Sequence, residues 1–252
     1  MPHARRVIGI ALTMLRALGK ASARAGKRLY QMYLKPLDMF EEIRAAPDAS
    51  GAALLLVAAF TAQTLTAAAV FSGVAIRSAK GEISLFANFI SNIAAYVSIR
   101  GATLFVFWFI LFIIFWFIMY ALGSRVEGFV VFSATGYILS SQLATFLAIL
   151  LIYVAAANRL PRIVLVSEPG VYPQYVALTA HLYRIDSLSP AVPVQLLLDA
   201  LGYFGTVWNI VLTALMFKVV GNLSWKRTIT GSAAATAVSW LLASIFRLAG
   251  ML

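Results

Sequence analysis

Residues 102–122 read ATLFVFWFILFIIFWFIMYAL, with no charge, no proline and no glycine. A helix rises about 1.5 Å per residue and the hydrocarbon core of a bilayer is about 30 Å thick, so about 20 apolar residues suffice to cross it. The stretch therefore predicts a transmembrane helix and sets the class of the whole chain. Working outward, four further windows are apolar and uncharged in their centres: Gly51–Ile76, Phe129–Ala157, Gln195–Val219 and Thr228–Ala249. Asp199, Lys218 and Arg247 fall near window ends, where a side chain reaches water at small cost. The expected fold is an all-α integral membrane protein with five transmembrane helices.

Composition excludes the alternatives. Of 252 residues 62% are hydrophobic and 12% charged, with a mean hydropathy of +0.90, whereas soluble domains carry about 25% charged residues. The net charge of +11, from 20 basic and 9 acidic residues, points to anionic lipid headgroups as partners and away from nucleic acid. With no cysteine, thiolate sites are ruled out, and with only His3 and His181 as histidines a histidine-pair site within one chain is nearly excluded. The acids are scattered, and GxxxxGK[ST], HExxH and GxSxG are missing. His181, Asp186 and Glu168 share a loop but make a poor ligand set. No catalytic, metal or cofactor site is expected, and hence no enzyme.

The N-terminal region carries the basic surplus. Arg16, Lys20, Arg24 and Lys27 recur at helical spacing opposite Ile8, Leu12, Leu15 and Leu18. That pattern suits an amphipathic helix in the headgroup layer, with these four cations as lipid-binding candidates; a basic tail without fixed structure is the alternative. Arg5, Arg6 and VIGIALTML imitate a signal peptide, but the cations that follow argue against one. Lys35-Pro36 opens a short helix with Leu37, Phe40 and Ile43 on one face. Pro47-Asp48 closes it, and Asp48 or Ser50 can cap the first span. Residues 1–50 thus read as a cytoplasmic basic tail and short helix, and 51–252 as a five-span domain with a long outer loop at 158–193.

Two connections have content. ISLFANFISNIAAYVSIR (83–100) reads as an interfacial helix, and RIVLVSEPGVYPQYVAL (162–178) as a hairpin around Glu168-Pro169-Gly170, together with its neighbours a small ordered cap. Lysine and arginine counts within about 15–20 residues of the spans do not decide orientation. The basic tail does, placing the N-terminus in the cytoplasm and the C-terminus outside the cell membrane.

Within the spans Gln63, Thr66, Tyr137, Gln142 and Asn209 need partners. They read as inter-helix glue, or as a polar path for a solute. Gly231, Ala235, Ser239 and Ala243 form a small-residue ladder on the fifth span, suited to close packing against the first span or a partner protein. The second span, bulky on every side, suits a position facing lipid.

YLKPLDMFEEIRAAPD (33–48), SATGYILSSQL (133–143) and FGTVWNIVLTALMFKVVGNLSWKRTITGSAAATAVSW (204–240) together resemble the Yip-domain family. Pro36, Phe40, Pro47, Gly136, Tyr137 and Trp208 stand at the motif positions. The resemblance implies a five-span protein with a cytosolic N-terminus and no enzymatic activity; eukaryotic members are associated with Rab-type GTPases, vesicle traffic and membrane shaping. The function expected here is that of a membrane scaffold or accessory protein, acting with a membrane-protein partner or as a homo-oligomer. An accessory subunit of a respiratory or translocation complex, or a solute or ion transporter, is the alternative; the missing internal repeat and the proline-free spans count against transport.

Overall fold

In hydrocarbon a backbone N–H or C=O finds a partner only in its own helix or a closed sheet, so apolar stretches of this length fold as helices. The computed structural model describes residues 19–72, 74–78, 81–156, 163–166 and 192–248. In chain order these form α1 (19–34), α2 (Pro36–Ala45), α3 (Ala49–Phe71), β1 (Val74–Ser78), β2 (Gly81–Ser84), α4 (Leu85–Ser91) and α5 (Ile93–Ala121). There follow α6 (Gly128–Ser140), α7 (Gln142–Ala156), β3 (Ile163–Val166), α8 (Val192–Val219) and α9 (Trp225–Leu248). Five spans are present: α3, α5, α6 with α7, α8 and α9. The chain is a helical five-span membrane protein that also carries one small sheet.

Three boundaries differ from the sequence reading. The first span ends at Phe71 instead of Ile76, and Val74–Ser78 pairs antiparallel with Gly81–Ser84. The interfacial helix divides at Asn92, whose carboxamide donates to the Asn88 carbonyl at 2.9 Å and so competes with helix continuation. Ser84 caps its first part, and the remainder runs unbroken into the second span, moving that span's start from Ala102 to Ile93. In the third region, Ile163–Val166 is a strand but lies parallel to β1, in register Val74↔Ile163. Residues 167–178 of the expected hairpin lie outside the described residues. A strand's partner is a tertiary choice that local pattern does not encode.

The third span is interrupted at Ser141, whose N–H turns back to the Ile138 carbonyl while the Ser140 hydroxyl donates to the Tyr137 carbonyl at 2.8 Å. The Tyr33 hydroxyl of α1 donates to the Ser141 carbonyl. A side chain from outside the span thus serves a carbonyl at the interruption, which apolar surroundings would otherwise leave costly.

Packing divides the chain into two units. The first takes its described residues from Met1–Ala58, Trp108–Ser141 and Asn209–Ala237. Its core holds Phe40, Met32, Ile43, Leu56, Met119 and Phe217, all with essentially no exposure. Trp108, Leu111, Phe115 and Met119 of α5 point into it at helical spacing, while Phe109, Ile113 and Phe117 are exposed. The expectation of a second span facing lipid on every side is corrected accordingly: one face is core. The second unit takes its described residues from Ala59–Phe107, Gln142–Trp208 and Val238–Leu252. It packs through small and aromatic residues, among them Ala59, Ala62 and Phe89, with ring contacts Phe89–Tyr96 at 5.1 Å and Phe107–Phe246 at 5.6 Å.

Candidate functional site: a buried cation that fastens α1

Helix α1 buries the stripe Ala21, Ala25, Arg28 and Met32 and exposes Lys20, Arg24, Tyr30 and Leu34. The buried face is apolar except for one guanidinium. Arginine cannot shed its charge in a protein, so a fully buried one must be compensated on the spot. Arg28 Nη2 donates to the Ala46 carbonyl at 2.6 Å and Nη1 to the Tyr137 hydroxyl at 3.4 Å. Nη1 lies 4.0 Å from Asp48 Oδ2, Nε lies 3.5 Å from Glu42 Oε1, and the guanidinium carbon sits 5.3 Å from the Tyr137 ring centre.

Each partner is placed by local chemistry. Pro36 opens α2, whose apolar face sets Met39, Phe40 and Ile43 in the core. Glu42, half-buried near its end, accepts from Lys27 Nζ at 2.6 Å. Asp48 is the residue before α3 and accepts the Gly51 N–H at 3.0 Å and the Ser50 hydroxyl at 2.6 Å, the expected N-cap. Gly51 matters because a Cβ there would strike the Tyr137 hydroxyl and come within 2.6 Å of Asp48 Oδ2. Gly136 does the same on α6: an added Cβ would lie 2.6 Å from the Trp108 ring and 2.9 Å from Ala52. Trp108, stacked on Phe132 at 4.3 Å, donates to the Phe132 carbonyl at 3.0 Å. Glycine thus seats α6 against its neighbours, and Tyr137 then reaches Arg28.

Electrostatics follow from these contacts. The hydrogen bond from Lys27 holds the Glu42 carboxyl below its usual range; burial opposes this, while Gln31 and the charges of Lys27 and Arg28 add to the lowering. Burial pushes Asp48 up, but the bonds from Ser50 and Gly51 and the charges of Arg24 and Arg28 outweigh it, so its carboxyl is also lowered. Both acids stay ionised against the guanidinium. The cluster has the character of a latch joining α1, α2, α3 and α6.

A family profile described as the Yip1 domain matches residues 30–246. The chain belongs to the Yip1-domain family. No curated protein and no solved structure matches it significantly.

Of the Yip1-domain motif positions read from the sequence, Phe40, Gly136 and Tyr137 are buried in the first unit, with Pro36 and Pro47 at the two ends of α2. Trp208 belongs to the second unit, where it stacks on Phe204 at 6.0 Å. Lys20 and Arg24 are exposed, Lys27 is exposed but paired with Glu42, and Arg16 lies outside the described residues. The small-residue ladder is shared out: Gly231 and Ala235 are buried in the first unit, Ser239 and Ala243 half-buried in the second. Gly231 sits against Leu122 and Phe217, a Cβ there meeting them at 2.5 and 2.8 Å. At this rung the nearest neighbours come from α8 and the residue after α5. Gln142 Nε2 donates to the Gly205 carbonyl at 3.4 Å; Gln63 and Asn209 are half-buried, and the Asn209 carbonyl accepts the Thr213 hydroxyl at 2.8 Å.

Arg28, Tyr33 and Asp48's second role escaped the sequence reading. The signal for Arg28 was the stripe Ala21, Ala25, Arg28, Met32, one position off the cationic one. Two small residues and a methionine at that spacing mark a packing face, and the cation on it is the one the helices close around.

Proposed function

We propose that this Yip1-domain protein is a non-enzymatic membrane scaffold or accessory protein, inserted with its N-terminus in the cytoplasm. It engages lipid through the basic face of α1 and a membrane-protein partner, or a second copy, through its spans. The observation that carries the reading is the exposure of α9. Only 17% of its membrane window is buried, against 28–33% in the other four spans, and Ala233, Ala237, Leu241 and Ser244 are exposed along it. A span so lightly used by its own chain has surface left for another helix, and small residues allow close approach.

Photo-crosslinking in native membranes tests this. A crosslinker at Ala237 should give one recurrent protein adduct, from a partner or a second copy, while one at Phe117 of α5 should give lipid adducts. Lipid adducts alone at both sites would defeat the scaffold reading. Orientation is checked separately: an impermeant thiol reagent on intact cells should tag Glu82→Cys and miss Ser22→Cys.

A further inference from the structure

The first unit has a half-open cleft of about 440 Å³, lined by residues that include Arg44, Ser124, Arg125, Glu127, Gly221 and Asn222. Small-ligand sites are typically about 300–1,000 Å³. Every lining segment is a span end or the few residues beyond it: α3 begins at Ala49, α5 ends at Ala121, α6 begins at Gly128 and α8 ends at Val219. The cleft therefore lies at headgroup depth whichever way the chain is inserted.

Its charges are held apart. Arg44 donates one N–H to the Val219 carbonyl at 3.3 Å, and the Arg125 guanidinium sits 5.0 Å from the Tyr120 ring centre. Glu127 stands at the N-cap of α6 yet makes no capping bond with its side chain. Among the described residues none of the three is within ion-pair distance of an opposite charge. Asn222, just past the end of α8, is in the left-handed region at φ +50°, which asparagine tolerates at helix ends. Arg44, Arg125 and Glu127, all exposed, thus belong to one cleft with no described ion pair among them.

We infer that this cleft binds the dipolar headgroup of a phospholipid, with the phosphodiester on Arg44 and Arg125 and a primary ammonium on Glu127. The guanidinium fork matches phosphate oxygens. Glu127 selects the other end: it repels a free phosphate or a headgroup without a cation, and a methylated ammonium offers it no N–H. The fit is to phosphoethanolamine.

The test uses the full-length protein in detergent, titrated with phosphatidylethanolamine, phosphatidylcholine, phosphatidylglycerol and inorganic phosphate. Native mass spectrometry reads retained lipid, and the unfolding midpoint reads stabilisation. Phosphatidylethanolamine should bind best. Arg125→Gln should weaken it about tenfold, while Glu127→Gln should keep lipid binding but erase the preference over phosphatidylglycerol. Unfolding without lipid checks that the fold of each variant stands; were Arg125→Gln to unfold, the selectivity of Glu127→Gln decides alone. Equal binding of all three lipids, protection by inorganic phosphate equal to that by phosphatidylethanolamine, or an unchanged preference in Glu127→Gln would overturn the proposal.

Discussion

The two packing units solve the same problem differently. In the first, a guanidinium, a phenol and two carboxylates join four helices, and at glycines 51, 136 and 231 neighbouring side chains press so close that a methyl group would collide. In the second, several side-chain hydrogen bonds return to their own helix, as from Thr64 to Phe60, Thr103 to Ile99 and Thr206 to Gly202. Others cross between helices, among them Thr66 to Phe146 at 3.2 Å and Gln142 to Gly205, where an added Cβ would lie 2.8 Å from the Thr145 hydroxyl. Lipid supplies no hydrophobic drive between spans, so a membrane fold is specified where polar locks and close contacts concentrate. What sets the first unit apart is that its lock holds a fully buried charge.

The largest test of the contrast is Arg28→Ala, which strands Asp48 and Tyr137 without their cation. Removing one member of a buried charged cluster costs about 3–5 kcal/mol, and α1 should become protease-sensitive. Gln142→Ala in the second unit should cost no more than about 1.5 kcal/mol. Equal losses in thermal unfolding would break the contrast.

Glycine substitutions sharpen it. Gly136→Ala overpacks against Trp108 and Ala52 and should cost about 1–3 kcal/mol. Gly202→Ala, with no heavy atom within 4 Å of the new Cβ, should be neutral or stabilise α8 by up to about 1 kcal/mol. Opposite signs in one assay are the expected outcome.

Acid should loosen the latch of the first unit. Glu42 and Asp48 titrate below their ordinary values of 4.5 and 3.8. Their contribution is therefore fully present above about pH 4.5 to 5 and is lost as pH falls through the lowered folded values. Protection of α1 and α2 amides, taken relative to their intrinsic exchange rates, should fall between pH 5 and pH 3, and Glu42→Gln should blunt the change. The smallest effect belongs to Phe117→Leu on the exposed face of α5, expected within about 0.5 kcal/mol of the parent.

How much was legible depended on whether the cause was local. Asp48 as a cap, Pro36 as a helix start and the five spans follow from residues within a turn or two of each other. Phe40, Gly136 and Tyr137 were visible as motif positions, but their meeting with Arg28 was not, since Arg28 and Tyr137 are 109 residues apart. Likewise Ile163–Val166 reads as a strand from its β-branched residues, yet its partner β1 was hidden in what looked like the end of a span.

By itself the sequence determined the spans and the surplus of cations, because length and hydropathy alone decide whether a segment leaves water. It could not determine which face of each span is core. In a soluble helix the apolar stripe marks the buried side, but in α5 Phe115 is buried and Phe117 exposed with the same side chain. Lipid and protein interior are equally apolar, so the periodic signal vanishes, and only the tertiary structure assigns the faces.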